Sequence, residues 1–329
     1  MKLDEIAKLA GVSRTTVSYV VNGKAKQYRV SDKTIERVQA LIEEHDFKPN
    51  AMAAGLRAGK SNTIGLIIPD FENVSYAKIA NQLENRFRQC GYQLLIACTN
   101  DNPENEIECA KHLFRRQIDA LIVSTALPAD TPFYQESNVP VFGFDRRIIS
   151  DDVINVLTDD EDDAYRLAMN LRKKKKGKSI LFFGALPDLP ISRERERGFR
   201  RAFSDDKKTE IDYLYASRFH KEEAAEIFEQ WLTENPLPQR IFVTSLTLLQ
   251  GVFQILLRQQ KRIPKDLIIA TFGDHEMLEV LGNEIVCAVQ NHPKIVQSLL
   301  NLVINKLNNK KKATEQSPIL RDIKFHHYR

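Results

Sequence analysis

Four short stretches of this chain place charge where an apolar run ends. "IIPDFENVSY" supplies Asp70, Asn73 and Tyr76, and "FGFDRR" supplies Asp145, Arg146 and Arg147. "PISRERERGF" supplies Ser192, Arg193, Arg195 and Arg197, and "ATFGDHE" supplies Asp274. Guanidiniums hold phosphate oxygens with forked, charge-assisted bonds, while carboxylates accept from sugar hydroxyls. A phosphorylated sugar satisfies this mixture better than a neutral one. The alternating R-E-R-E-R run reads as a solvated helix face, which sets Arg193 and Arg197 below the others. The chain has no P-loop, G-x-G-x-x-G or G-x-S-x-G, and no nucleophile placed beside a base. No catalytic residue and no cofactor is assigned. "FHHYR" lacks metal-ligand partners at useful spacing, so a structural or exposed role is expected and no metal is assigned.

A second chemistry lies in "GVSRTTVSYVVNGKAKQYRVS", Gly11 to Ser31, where a turn leads into a short amphipathic stretch and then a loop without an acid. Arg14 can donate two hydrogen bonds to a guanine edge, and Thr15 and Tyr19 offer hydroxyls and apolar contact. Lys24, Lys26 and Arg29 follow in a flexible loop suited to phosphates. Ser13, Thr16 and Asn22 complete the expected DNA-facing set. Residues 1–60 hold 11 Lys+Arg and 7 Asp+Glu, so of the chain's 48 and 44 the remainder holds 37 of each. All excess positive charge therefore sits in the first segment, which points to a polyanion partner for that segment alone.

The elements that must position these residues follow from periodicity. Leu3, Ile6, Ala7 and Ala10 make one apolar stripe, Gly11 stops that helix, and Ser13 caps a second with Val17, Val20 and Val21 inward. A third helix starts at Ser31 and buries Ile35, Val38, Leu41 and Ile42. Two short helices joined by Gly-Val-Ser predict a helix-turn-helix; a small bundle with a solvated polar face is the alternative. Asn50 can cap a helix through Leu56 that is too short to hold alone, since isolated helices need about 12 residues. There Leu56 beside Arg57 suits a minor-groove wedge, or a linker touching its neighbour.

From Thr63 short apolar strands alternate with helices, which predicts parallel sheets covered on both faces. Expected helices run over 75–90, 103–117, 161–176, 192–204, 220–234 and 246–260. Two such blocks predict two lobes with a cleft at the carboxyl ends of the strands. "RKKKKGK" from Arg172 reads as the solvated end of a helix. Cys90, Cys98, Cys109 and Cys287 form no C-x-x-C pair, so reduced thiols are expected. No signal peptide or membrane-length apolar run is read, so a cytoplasmic protein without membrane contact is expected.

"LDEIAKLAGVSRTTVSYVVNG", "RVSDKTIERV" and "PNAMAAGLRAGKSNTIGLIIPD" together resemble the headpiece and hinge of the lactose-repressor family of bacterial regulators. The long basic loop "GKAKQYRVS" is similar to its fructose-repressor branch, and "YQLLIAC", "DALIVST", "GALPDLPIS" and "LLQGVF" extend the likeness over nearly the whole chain. The resemblance implies a helix-turn-helix headpiece over 1–48, a hinge helix and linker over 49–61, and a two-lobed, periplasmic-binding-protein-like α/β domain over 62–329. That domain would bind effector and mediate dimerisation. The resemblance also implies a near-palindromic operator, a homodimer or homotetramer, and a fructose 1-phosphate or fructose 1,6-bisphosphate effector. The family pattern R-x-x-G-F falls on Arg195, Gly198 and Phe199, making Arg195 the principal effector contact. Asp145 and Arg146 match the family's D-R. Where many relatives have paired acids this chain has Gly273 before Asp274, so ribose- or purine-type contacts do not transfer. A sugar-phosphate enzyme with a basic appendage and a passive sugar-binding protein stand as the alternatives.

Overall fold

Gly11 ends α1 (Leu3–Ala10) with its backbone at φ 60° and ψ 38°, the left-handed region that costs glycine little. The next N–H, of Val12, then returns to the Ala7 carbonyl at 3.0 Å. Ser13 opens α2 (Arg14–Val21), its Oγ accepting the Thr16 N–H at 3.1 Å, and α3 (Asp32–Glu44) follows Ser31. Ile6, Ala7, Ala10, Val17, Val20 and Val38 form one small core, with Ile35, Leu41 and Ile42 partly buried against it. The segment expected to be a flexible basic loop is instead a run of turns. Tyr28 N–H bonds to the Lys24 carbonyl, and Val30 N–H to that of Ala25. Ala25 joins the core and ties the loop down.

This computed structural model describes residues 2–47, 60–135, 137–174, 178–309 and 317–327. The expected hinge contacts Asn50 and Leu56 lie outside them. The chain divides into two units, Met1–Ser61 and Asn62–Arg329.

In the larger unit, the first sheet is built from β1 (Thr63–Ile68), β2 (Gln93–Cys98), β3 (Ala120–Val123), β4 (Val141–Phe144) and β5 (Val153–Val156). They run parallel in the order β2-β1-β3-β4-β5, with α4 (Val74–Gln89) and α5 (Pro103–Arg115) as crossovers. A second rhythm runs α6 (Asp160–Lys173), β6 (Ser179–Ala185), α7 (Pro190–Ala202), β7 (Glu210–Ala216), α8 (Lys221–Glu234), β8 (Arg240–Val243), α9 (Leu246–Gln260), β9 (Ile268–Phe272) and β10 (Ile285–Val289). Most central strands are buried along their whole length, as parallel strands between two helical layers must be.

After β10 the chain leaves its own sheet. α10 (His292–Leu307) packs Ile295, Val296, Leu299, Leu302 and Val303 against Ile64, Leu66 and Ile79 of the first lobe. β11 (Asp322–His326) then returns to pair antiparallel with β10, giving the order β11-β10-β9-β8-β6-β7. The chain thus passes between the lobes after β5, after β10 and again before β11, and Thr158 bridges Ile319 where two of these passages run side by side. The repeating pattern predicts neither β5 nor this exchange, because a segment's own periodicity does not say which sheet it covers.

Candidate functional site

A cavity of about 160 Å³ lies between the two sheets, beyond the carboxyl ends of their parallel strands. Its lining comes from both lobes: Asp70, Asn73, Tyr76, Asp101, Asp145 and Arg146 from the first, and Arg195, Thr244, Phe272 and Asp274 from the second. Arg321, just before β11, completes it.

Arg195 is presented by α7, whose close approach to α6 depends on Gly198. A Cβ at that position would sit 2.1 Å from the Glu161 carbonyl oxygen, so only glycine lets the helices meet there. The contact brings Arg195 Nε to Asp160 Oδ1 at 2.7 Å, while Nη1 donates to the Thr244 carbonyl at 2.7 Å. Arg321 Nη1 reaches the same Asp160 oxygen at 3.0 Å and donates to Asp163 Oδ2 at 2.9 Å. Both guanidiniums lie against one ring, 4.3 Å and 5.1 Å from the Phe272 centroid. Burial alone would raise the Asp160 pKa, but the charges of Arg321 and Arg195 outweigh it and hold the carboxyl below its ordinary value. Two cations are thus fixed side by side, with a shared carboxylate between them. The bonds to Asp160 and Thr244 use two of the five N–H donors that a guanidinium carries.

The first lobe answers with acids. The chain turns at Asp145 with φ 62°, and Oδ2 of that residue accepts from the Tyr76 hydroxyl at 2.7 Å. Burial, then the Asp145 charge, push the Tyr76 phenol well up, so it stays a donor. Arg146 pairs with Asp101 at 2.7 Å and donates to the Thr125 carbonyl at 3.2 Å. Arg321 Nη2 lies 3.9 Å from Asp145 Oδ1, an ion pair that joins the two halves of the cavity. Asp70 Oδ1 accepts the Asn73 N–H at 2.9 Å, and Asn73 in turn caps α4. Burial raises the Asp70 carboxyl.

At the far wall Gly273, at φ 91°, turns the chain after β9 so that Asp274 meets Lys324 and His326, each at 2.8 Å. Burial opposes the Asp274 charge, but these two partners prevail and lower its pKa. His292 Nε2 shares a 2.9 Å hydrogen bond with the Ser75 hydroxyl. Burial, then Lys78 and Arg321, push its pKa down to about 4, so the ring is neutral at pH 7.

In the helical unit α2 carries an outward polar face. Arg14 reaches Asp4 at 3.3 Å with both side chains more than half exposed. Thr15, Asn22, Lys24, Lys26 and Arg29 are exposed. Tyr19 stacks on Tyr28, ring centroids 3.8 Å apart and 3° from parallel. Asn22 Nδ2 closes α2 by donating to the Ser18 carbonyl at 2.7 Å.

Residues 2–50 match the family model "Bacterial regulatory proteins, lacI family", and residues 64–311 match "Periplasmic binding protein domain". Over 315 residues the chain is 52% identical to the catabolite repressor/activator of Salmonella typhimurium, covering 95% of this chain and 94% of that protein. The chain belongs to the lacI family of bacterial regulatory proteins. It is 42% identical to the fructose operon regulatory protein of Vibrio cholerae, over 93% of this chain and 94% of the other. Among solved structures it resembles the Cra transcriptional dual regulator from Pseudomonas putida in complex with fructose 1-phosphate. That match has a TM-score of 0.74 and 33% identity, over 80% of this chain and 98% of that one. These relatives are transcriptional regulators rather than enzymes, and this lacI-family chain is a DNA-binding regulator.

Of the eight residues expected at the effector site, seven line the cavity of this lacI-family regulator. Ser192 does not. Its hydroxyl donates to the Ala185 carbonyl at 2.7 Å and ties α7 to the end of β6. Arg193 and Arg197 pair at the surface with Asp188 and Glu161. Sequence reasoning missed Asp160, Phe272 and Arg321. Asp160 lies within an acid-rich helix start, where capping explains its charge without a partner. Arg321 follows an unassigned tail, and only the alternation in "DIKFH" hints at the strand beside it.

Proposed function

We propose that this regulator binds a fructose phosphate, fructose 1-phosphate foremost, in the cavity between its lobes, and that occupancy there alters its affinity for operator DNA. The observation that carries this reading is the pair Arg195 and Arg321, held on one Phe272 ring with Asp160 between them. Two buried guanidiniums with donors to spare suit a dianionic phosphate. Asp70, Asn73, Tyr76, Asp145, Arg146 and Asp274 are assigned to the sugar hydroxyls and to the frame around them. A ligand touching both walls favours one spacing of the lobes, and residues 49–61 are the covalent link from that domain to the helical unit. A tenfold change in operator affinity needs only about 1.4 kcal/mol of coupling. DNA must then change effector affinity by the same factor.

On the DNA side Arg14, Thr15 and Tyr19 read bases. Ser13, Thr16 and Asn22 shape α2 and its ends, and Lys24, Lys26 and Arg29 meet phosphates. One such helix reads few bases, so a homodimer or homotetramer on a near-palindromic operator of carbon-metabolism genes follows. A cytoplasmic location is part of this reading, supported by the DNA-binding role of the chain; among the described residues no helix is long and apolar enough to cross a membrane. The test is calorimetry with fructose 1-phosphate, fructose 1,6-bisphosphate and fructose, alongside operator titration with each. A phosphorylated fructose is expected to bind and to shift operator affinity at least tenfold, with fructose inert. Equal binding of fructose, or binding with no change on DNA, overturns the reading.

A further inference from the structure

Beside the cavity three side chains of different chemistry converge. Asp274 follows β9, Cys287 lies in β10 and His326 ends β11. Their ligand atoms all lie within 4.8 Å of one another, and His326 Nε2 stands 2.8 Å from Asp274 Oδ1. Cys287 is fully buried and His326 nearly so, and spacing along the chain alone does not bring the three together. The partners come from neighbouring strands rather than from nearby positions. A cation already sits at this group: Lys324 Nζ bridges Asp274 Oδ2 at 2.8 Å and Glu279 Oε1 at 3.0 Å. The Lys324 side chain is 43% exposed, so its ammonium has a route to solvent.

We propose that Asp274, Cys287 and His326 form a site for a thiophilic divalent cation such as zinc or cobalt, entered by displacing the Lys324 ammonium. Carboxylate oxygen, thiolate sulfur and imidazole nitrogen are the donors zinc takes, and three protein ligands leave a fourth position open. Ligand distances of about 2.0–2.3 Å put adjacent donors of a tetrahedral ion roughly 3.5 Å apart. Side-chain rotation therefore has to close the widest gap by only about an ångström. The metal–sulfur bond forms as the Cys287 S–H bond breaks, and the metal–nitrogen bond forms as His326 Nε2 gives up the proton it donates to Asp274; the thiol proton leaves to water and the imidazole proton moves to Nδ1 or leaves with it. Lys324 keeps its proton and turns outward, and Glu279 is freed from it. Because Asp274 also lines the effector cavity, the cation and a sugar compete for it. That competition rests on the effector reading; the site itself does not.

The test is cobalt titration of the full chain. The wild type is expected to develop a near-ultraviolet thiolate-to-cobalt charge-transfer band at one ion per chain. Cys287→Ser should lose it, and His326→Asn should weaken cobalt binding about 10–100-fold. Lys324→Met, a change at a half-exposed position, should tighten binding about tenfold or more by removing the competing charge. No band in either wild type or Lys324→Met overturns the proposal, and so does a band that survives Cys287→Ser. Fructose 1-phosphate is added in a second arm: sugar binding weakened by cobalt supports the shared use of Asp274, and sugar binding unaffected by bound cobalt overturns it. A cobalt band with no sugar binding at all counts against the effector reading alone.

Discussion

Arg14 of the helical unit reaches Asp4 at 3.3 Å with both side chains more than half in water, whereas Arg195 and Arg321 are 7% and 4% exposed and bonded to Asp160 at 2.7 Å and 3.0 Å. An exposed pair of the first kind contributes about 0–1 kcal/mol and is screened by salt. Its arginine can be reassigned to a polyanion at little cost. The second kind fixes the position of each guanidinium before any ligand arrives, and removing one partner leaves an uncompensated buried charge. A surface that meets DNA needs arginines that can move between partners. A cavity for a small anion needs them placed in advance.

That contrast can be broken most directly at Arg321. Arg321→Ala strips a partner from Asp145, Asp160 and Asp163 together, and should cost about 3–5 kcal/mol of stability. Thermal or urea unfolding checks this, and a loss below 1 kcal/mol would mean that the buried network is not holding the lobes. Gly198→Ala comes next. Its Cβ meets the Glu161 carbonyl, so α7 must back away from α6, at about 2–3 kcal/mol. Arg195 should then part from Asp160, and calorimetry should show weaker fructose 1-phosphate binding; unchanged affinity would show that Arg195 does not depend on that helix contact.

On the other side of the comparison, Arg14→Ala should leave stability within about 0.5 kcal/mol while costing about 1–3 kcal/mol on operator. Operator and random-duplex titrations of the same variant separate the two effects. A variant that unfolds easily but still discriminates operator would reverse the assignment. The smallest effect expected is from acid. His292 has a folded pKa of about 4 against an ordinary 6.5, so the folded state binds its proton less readily than the unfolded chain. Its contribution to stability is complete above the ordinary value and is lost as pH falls from there through about 4. A loss of about 1–2 kcal/mol is expected after allowance for partial screening, absent in His292→Asn. Unfolding curves between those pH values decide it.

Much of this is legible in the sequence. The Gly-Val-Ser turn, the Ser13 cap and the stripe Ile6, Ala7, Ala10 are local signals, and the helices and their boundaries follow them. The strand ends that carry Asp70, Asp145 and Asp274 are readable for the same reason, since an apolar run of strand length stops just before each, and Arg195 lies in the helix that follows another such run. Ser192 shows the limit, because a hydroxyl near a strand end serves the ligand or the backbone equally well, and its carbonyl partner decided for the backbone. Tyr19 shows another, since the stack with Tyr28 crosses a loop whose path depends on burying Ala25.

The amino-acid order by itself determined most of the elements up to β9, much of their capping, the uneven charge along the chain and the family that those motifs mark. Tertiary structure decided which charges meet. Arg195 finds Asp160 across 35 positions, and Arg321 finds Asp163 across 158. Helix periodicity and capping act through the backbone over a few residues, so they can be read along the chain. Coulomb attraction, hydrogen bonding and desolvation act over a few ångströms of space. Their partners exist only once two sheets, and the strand that returns to the edge of the second, have been packed.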